Sequence, residues 1–314
     1  MPYLYPNRAD NEAFIQEQID ITALNEYLKK KTEGDPEFKY TYLHAIVAAL
    51  VRTITLRPKM NRFISGNRIY QRRWITAAFM VKRQFADESS ESIFYKAFGD
   101  DDNIDTIHRS IKERVTSFRK GSAEDNSTDK MGLLLRLPPF MMRLVMKILF
   151  SLDRKGKVPD FLIKEDPNQA SVFVTNLGSI GLHAGYHHLT NWGTNSIFVV
   201  IGEKHMAPFY QEDGSVEMRE VIDLGVTLDE RIADGYYYSK TIKLLKYQHT
   251  HTATSMKAAS PPRLPGLKAM TPSAPHIWIT SWVRWRKPSN VWRKSTRTIS
   301  PTTSWASLPP IRRP

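Results

Sequence analysis

Two carboxylates, Glu230 and Asp234, stand four residues apart, directly after an apolar strand and directly before a helix. The segment 229–235 reads DERIADG, and the strand before it alternates apolar and polar residues. A carboxylate can act as a general base, but a solvated glutamate titrates near a pKa of about 4.3. Burial would have to raise that pKa before Glu230 could accept a proton at neutral pH. The sequence therefore predicts a loop that offers a candidate acid–base group.

The elements that hold this loop can be read from apolar spacing. Residues 40–56 place apolar side chains on one helical face and end before Pro58, which predicts a buried helix. Thr22 is expected to cap a short helix behind the first strand. Strands and helices mix without a regular βαβ repeat, so we expect an α+β sandwich, a mixed β-sheet with helices packed on it. The other predicted elements are strands at 14–22, 61–64, 68–72, 74–85, 170–175, 196–203 and 218–228, a hairpin turn at Gly66-Asn67, and helices at 103–119 and 235–248.

Three of these pieces resemble, in the right order, the catalytic domain of the acyltransferase component of 2-oxoacid dehydrogenase complexes. They are RPKMN at the end of the helix at 57–61, VFVTNLG at 172–178, and DERIADG at 229–235. That family also contains chloramphenicol acetyltransferase, and the resemblance covers residues 14–248. The family reads Asp-His-Arg-x-x-Asp-Gly in the last segment, and its histidine is the general base. This chain has Glu230 at that position.

The resemblance implies a chloramphenicol acetyltransferase-like fold, acyl-CoA as co-substrate, and a homo-trimer with each site between two subunits. Carried over by position, Glu230 is the base, the Thr175 hydroxyl stabilises the oxyanion, and Asp234 orients the loop. A carboxylate base would be mismatched with a thiol by about four pKa units, so its site would have to be dry. Two hypotheses stay open: a CoA-dependent acyltransferase, or an inactive homologue that serves as a trimeric scaffold or partner-binding protein.

Other candidate chemistry is weaker. His183, His187, His188 and His205 have no convincing metal spacing, and no metal cofactor is expected. The segment HHLTNWG at 187–193 superficially resembles the His-His-x-x-x-Asp-Gly of related acyltransferases, but it lacks the aspartate and lies between two strands. No lipoyl domain is visible in the sequence. We therefore expect a stand-alone enzyme acting on a small or lipid-like acceptor.

A helical insertion and connector are expected at 131–169. After Pro138-Pro139 its helix carries a narrow basic stripe that includes Arg143, Lys147 and Arg154. One interpretation packs the helix on the sheet or the trimer interface. The other lays it on an anionic membrane surface, or over an acyl chain as a lid. The side chains that the helix is expected to bury are Phe140, Met141, Leu144, Val145, Ile148, Leu149 and Leu152.

Charge and composition separate the C-terminal tail of the chain from the rest. The net charge is +13, but residues 249–314 hold 11 Lys and Arg and no acidic residue, which leaves only +2 for residues 1–248. This tail also holds 10 of the 19 prolines and five of the seven tryptophans. It is interpreted as the product of a frameshift, a disordered tail, or an arm for nucleic acid or membranes. Nucleic-acid binding is not expected of the body.

The chain is thus divided into an N-terminal extension (1–13), an acyltransferase-like domain (14–248) and the tail (249–314). It has no cysteine, no apolar leader and no apolar run of about 18 residues, so a cytoplasmic protein is expected, with a peripheral membrane contact through 131–154 as the variant.

Overall fold

The computed structural model describes residues 2–82, 91–99, 102–119, 137–163 and 166–250. The interpretations of the tail beyond residue 250, and the start of the insertion at 131–136, lie outside these residues. The strands are β1 (Glu12–Asp20), β2 (Arg62–Ser65), β3 (Arg68–Gln71), β4 (Ile75–Lys82), β5 (Glu91–Phe98), β6 (Val172–Asn176), β7 (Ile197–Tyr210) and β8 (Val216–Asp229). The helices are α1 (Thr22–Glu33), α2 (Tyr42–Leu56), α3 (Ile104–Arg119), α4 (Pro139–Arg154), α5 (Asp160–Ile163) and α6 (Gly235–Thr250), with 3-10 turns at Pro58–Asn61, Pro167–Gln169 and Leu177–Ile180.

Six of these strands form one mixed sheet in the order β1-β8-β7-β6-β4-β5. β6 runs parallel to both β4 and β7, while the pairs β1–β8, β7–β8 and β4–β5 are antiparallel. The remaining two strands, β2 and β3, form a hairpin whose turn residues Gly66 and Asn67 both have positive φ, as predicted for this type of turn. The predicted α+β architecture with a mixed sheet is confirmed.

One face of the sheet carries the main core. The apolar stripe of α2 packs there with Ile46, Val47 and Leu50 each no more than 5% exposed, so its predicted burial is confirmed. The other helices on this face, α1, α3 and α6, add Leu24, Ile107 and Leu245. Since the strand side chains alternate between faces, Val172, Val174, Val199 and Leu224 point into this core.

The opposite face is covered by the loop 181–196, which runs from the 3-10 turn after β6 to the start of β7. Leu189 in this loop packs against Phe198 and Val200. The loop backbone lies so close to β8 that a Cβ atom on Gly225 would stand 1.9 Å from the carbonyl oxygen of Gly185. Glycine at 225 is therefore required by close approach of two backbones, not by a turn.

Three predictions were wrong or incomplete. Thr22 is the first residue of α1 and not its cap; instead the Asp20 Oδ1 atom accepts a hydrogen bond from the Thr22 amide (2.9 Å). Strand β5 was not predicted. Helix α4 does form, but it does not bury the apolar side chains expected of it, because it lies outside the layer that covers the sheet: Phe140, Met141, Leu144 and Ile148 are exposed, and Val145, Leu149 and Leu152 are only half-buried.

Candidate functional site

The turn after β8 is held by an ion pair between Asp229 and Arg231. The Arg231 backbone amide and Nε both donate to Asp229 Oδ1 (3.1 and 2.8 Å), and Nη2 donates to Oδ2 (2.8 Å). The Asp229 side chain is fully buried, and that of Arg231 is 3% exposed. The guanidinium also donates to the backbone carbonyls of Tyr5 and Pro6 (3.0 and 2.9 Å). The side chains on either side of Glu230 in the sequence, those of Asp229 and Arg231, are thus held inside the protein.

Glu230 itself points the other way, into solvent. Its backbone amide donates to the Asn11 carbonyl (2.9 Å), which fixes its position, and its side chain is exposed. Within the described residues the carboxylate has neither a hydrogen-bond donor nor an ion-pair partner. A single copy of the chain therefore leaves the candidate base solvated, and the dry surroundings that such a base needs have to come from a bound substrate or another copy.

Asp234 lies at the start of α6. Its Oδ1 atom accepts the Tyr237 amide (2.9 Å), and its carbonyl accepts the Tyr238 amide (3.1 Å). The bond from the Tyr237 amide lowers the pKa of the Asp234 carboxyl, because it stabilises the charged form. Asp234 thus connects the turn that holds Glu230 to the last helix.

Thr175 lies on β6, half-buried, on the side of the sheet that the loop 181–196 covers. It is paired with Val200 on β7, which in turn is paired with Gly225 on β8. Glu230 is two strands away and five residues further along, which puts the two backbones about 20 Å apart. The fold therefore does not bring Thr175 and Glu230 together within one chain.

The four histidines named from the sequence lie on or beside the covering loop. His187 stacks on Phe198 with ring centroids 4.1 Å apart, and its Nδ1 atom contacts the His188 carbonyl (2.9 Å). His188 and His183 are strongly exposed; they lie 3.6 Å from Glu12 and 3.5 Å from Glu203, respectively. The partly buried His205 lies 3.6 Å from Asp223 on the neighbouring strand. In the part of the chain that the structure describes, no group of three or more His, Asp or Glu side chains is arranged to hold a metal ion.

A cavity of about 220 Å³ lies between the β2–β3 hairpin and the connector after α4. Asp153, at the end of α4, accepts the Gly193 amide through Oδ2 (3.2 Å), and burial raises the pKa of its carboxyl to about 6. The buried Gln169 and Thr194 side chains are bonded to each other across the wall (2.8 Å). No pattern in the sequence predicts this cavity; its one signal is that Asp153 is the only acidic residue in an otherwise apolar and basic helix. The lining residues are Phe63, Ser65, Tyr70, Asp153, Gly156, Val158, Ile163, Gln169 and Thr194.

Solved structures that share this fold include two dihydrolipoamide acetyltransferases and the core of a pyruvate dehydrogenase complex. A probable dihydrolipoamide acetyltransferase from Listeria monocytogenes is 16% identical over 79% of this chain and 88% of its own, with a TM-score of 0.55. The dihydrolipoamide acetyltransferase of Azotobacter vinelandii, studied for the role of a serine, a histidine and an asparagine in its catalytic mechanism, is 14% identical over 81% and 90%, with a TM-score of 0.56. The cubic core of a pyruvate dehydrogenase multienzyme complex is 14% identical over 78% and 83%, with a TM-score of 0.55.

No family model matches the sequence, and neither does any curated protein. At these identities the likeness shows the fold, which is the acyltransferase-core fold expected from the motifs. In the described ranges, no helix combines the length and the apolar content needed to cross a bilayer.

Proposed function

We propose that this chain transfers an acyl group from acyl-CoA to a small or lipid-like acceptor, in a homo-trimer whose sites lie between copies. The observation that carries this proposal is the turn at 229–231: the buried ion pair holds Glu230 outward at the position where the motif of the resembling family has its base. The shared fold supports it, since the likeness to acetyltransferases of known structure covers most of this chain and most of theirs. The distance of about 20 Å between Thr175 and Glu230 agrees with half-sites that belong to different copies.

Each residue has one role in the proposed reaction. The Glu230 carboxylate of one copy takes the proton from the acceptor's nucleophilic atom, which attacks the thioester carbonyl of acyl-CoA. The Thr175 hydroxyl of the neighbouring copy donates a hydrogen bond to the oxyanion that develops there. The tetrahedral intermediate then breaks its C–S bond, and the Glu230 carboxyl returns the proton to the departing CoA thiolate. Asp234 keeps the turn joined to α6 and does not exchange a proton.

Glu230 works as a base only if docking of the neighbouring copy removes it from water. A solvated carboxylate is about four pKa units too acidic to deprotonate a thiol efficiently, and desolvation can recover much of that difference. Its exposure in a single copy also favours the second candidate function, a trimeric scaffold that has kept the fold without the chemistry. The two functions differ in whether Glu230 is needed for turnover.

CoA release is the assay that separates them. Acetyl-CoA and longer acyl-CoAs are offered with thiol, amine and hydroxyl acceptors to the wild type, Glu230→Gln and Glu230→His, with Glu212→Gln, an exposed glutamate in the β7–β8 turn, as the matched control. We expect Glu230→Gln to lower kcat/KM roughly a hundredfold or more, and Glu230→His and Glu212→Gln to retain turnover. Activity in Glu230→His alone, with none in the wild type, would overturn acyl transfer by this chain and show that the site survives without its base. Silence in all the proteins, with no CoA binding by calorimetry, would favour the scaffold function.

Co-expression tests whether the site lies between copies. Thr175→Ala and Glu230→Gln chains are each expected to be inactive alone. In randomly mixed trimers one interface in four pairs an intact Thr175 with an intact Glu230, so roughly a quarter of the wild-type activity should return. No recovery in mixtures shown by mass spectrometry to contain both chains would contradict a shared site.

A further inference from the structure

Helix α4 presents one side entirely to solvent. None of its sixteen residues is buried. Phe140, Leu144 and Ile148, spaced four residues apart on one stripe, are 71%, 59% and 51% exposed, and Met141 beside them is 41% exposed. Few soluble surfaces leave so many large apolar side chains in a row uncovered.

A row of cations borders this apolar stripe. Arg143, Lys147 and Arg154 follow at intervals of four and seven residues, so they share an adjacent stripe, and all three are exposed. In the described residues none of them has a carboxylate partner. The helix's only acidic residue, Asp153, is on the opposite side, bonded to Gly193. We name the seven residues Phe140, Met141, Arg143, Leu144, Lys147, Ile148 and Arg154 the α4 outer face.

The other side of α4 fixes its orientation. Phe150 meets Trp192 edge to face, with ring centroids 5.9 Å apart. The Asp153 carboxylate holds the Gly193 amide, and the Lys157 amide donates back to the Leu152 carbonyl (2.9 Å), which closes the helix end. The outer face is therefore presented outward by the contacts that Phe150 and Asp153 make in the last turn of the helix.

We propose that the α4 outer face binds the surface of an anionic phospholipid bilayer, with the helix axis parallel to the membrane plane. The apolar stripe would enter the boundary between headgroups and acyl chains, and the three cations would meet lipid phosphates. The charge pattern selects this occupant: a second copy placed face to face would set the same cations against one another, whereas an anionic lipid surface complements all three at once. The inference does not depend on acyl transfer.

The test is co-sedimentation of the full chain with vesicles of phosphatidylcholine alone, or of phosphatidylcholine and phosphatidylglycerol at a ratio of about three to one. Because each Lys or Arg near such a surface strengthens binding roughly fivefold, the triple variant Arg143→Gln/Lys147→Gln/Arg154→Gln should bind on the order of a hundredfold more weakly. Leu144→Glu/Ile148→Glu should also lose binding. Met206→Glu/Met218→Glu, a control at two residues of similar exposure on β7 and β8, should bind like the wild type.

A second readout locates the contact and excludes an effect of the basic tail. The chain has no cysteine, so Ile148→Cys and, as control, Met218→Cys each accept a single environment-sensitive fluorophore. A blue shift at position 148 with phosphatidylglycerol vesicles and none at 218 is expected. If binding survives both α4 variants, the basic tail and not the α4 outer face binds the vesicles. If the fluorophore at position 148 shifts to the blue without vesicles, in a way that depends on protein concentration, the face binds a second copy. Either result would overturn the proposal.

Discussion

Asp229 and Arg231 lie two residues apart at the end of β8 and form a buried, two-pronged ion pair, while the residue between them faces solvent. Asp229 is the last residue of β8, and the turn that follows brings the Arg231 side chain back onto its carboxylate. Arg8 stands 3.6 Å from the same carboxylate and gives it a second, weaker cationic neighbour. The candidate base is thus held by three charged side chains that are themselves buried.

Removing the arginine should be costly for the fold. Arg231→Gln would leave the Asp229 carboxylate buried with only Arg8 nearby, so we expect the free energy of unfolding to fall by about 3 kcal/mol. Arg219→Gln, at a half-exposed arginine that pairs with Glu217 and Asp20, should cost less than about 1 kcal/mol. Urea denaturation measures both. The double variant Asp229→Asn/Arg231→Gln should recover part of the loss; a double variant less stable than Arg231→Gln would refute the uncompensated-charge explanation.

The contact between Gly225 and Gly185 gives a matched pair of substitutions. Gly225→Ala would drive its methyl group into the Gly185 carbonyl, so the loop 181–196 or β8 must shift, at a cost of about 3 kcal/mol. Gly185→Ala has nothing within 4 Å of the new methyl group and should change stability by less than about 0.5 kcal/mol. Thermal melting compares the two. Equal effects would show that the loop does not press on the sheet there.

Asp153 should make the free energy of unfolding fall as the pH rises, the reverse of the dependence that an ion-paired carboxylate gives. Its folded-state pKa is raised from 3.8 to about 6, so the folded chain holds a proton that the unfolded chain has released between these values. Stability contributed by this group is therefore present at about pH 4 and is lost as the pH rises through 6. Asp153→Asn can still accept the Gly193 amide but carries no charge. At pH 7 we expect this variant to be about 1 kcal/mol more stable than the wild type, a value that is reduced because the carboxyl is partly exposed. At pH 4 the two proteins should be equally stable.

Urea denaturation of Asp153→Asn and the wild type across pH 4 to 7 checks this difference. Asp213→Asn is the control, because the pKa of this exposed turn residue is lowered by its bonds to Ser215. The stability that Asp213 contributes is instead lost as the pH falls. A stability difference between Asp153→Asn and wild type that does not grow as the pH rises would contradict the proposed origin.

The residue types within a short segment were enough to predict helix α2 and the β2–β3 hairpin. The apolar face of α2 predicted its burial because a helix with so wide a stripe has to cover something, and Gly66-Asn67 predicted a hairpin because both residues tolerate positive φ. The outer face of α4 shows what such patterns cannot predict. Amphipathic spacing indicates that a helix has an apolar side, but it does not indicate that the same chain buries that side. The capping of α1 failed for a related reason, since Asp20, one residue before the cap position, supplied the acceptor in place of Thr22.

The candidate site was predictable only as a set of residues. Motif order named Glu230, Thr175 and Asp234, but the distance between Glu230 and Thr175 depends on the strand order β8-β7-β6, which no local pattern contains. The cavity beside Asp153 depends on still more distant segments, because its lining comes from the hairpin at 62–71, the connector after α4 and the residues around 169 and 194. Both the candidate site and the cavity are assembled by contacts between segments that are distant in the sequence, and the local preferences of residues for helix or strand do not determine such contacts.

The pairing of β1 with β8 also sets the order in which this protein can finish folding during synthesis. β1 is among the first segments made, yet its partner strand is made roughly 200 residues later, which at about 5–20 residues per second is a delay of about 10 to 40 seconds. Throughout that interval the backbone groups by which β1 pairs with β8 have no partner strand. We therefore expect the nascent chain to expose an unpaired strand edge during synthesis, and a slowed ribosome to lengthen its exposure to aggregation.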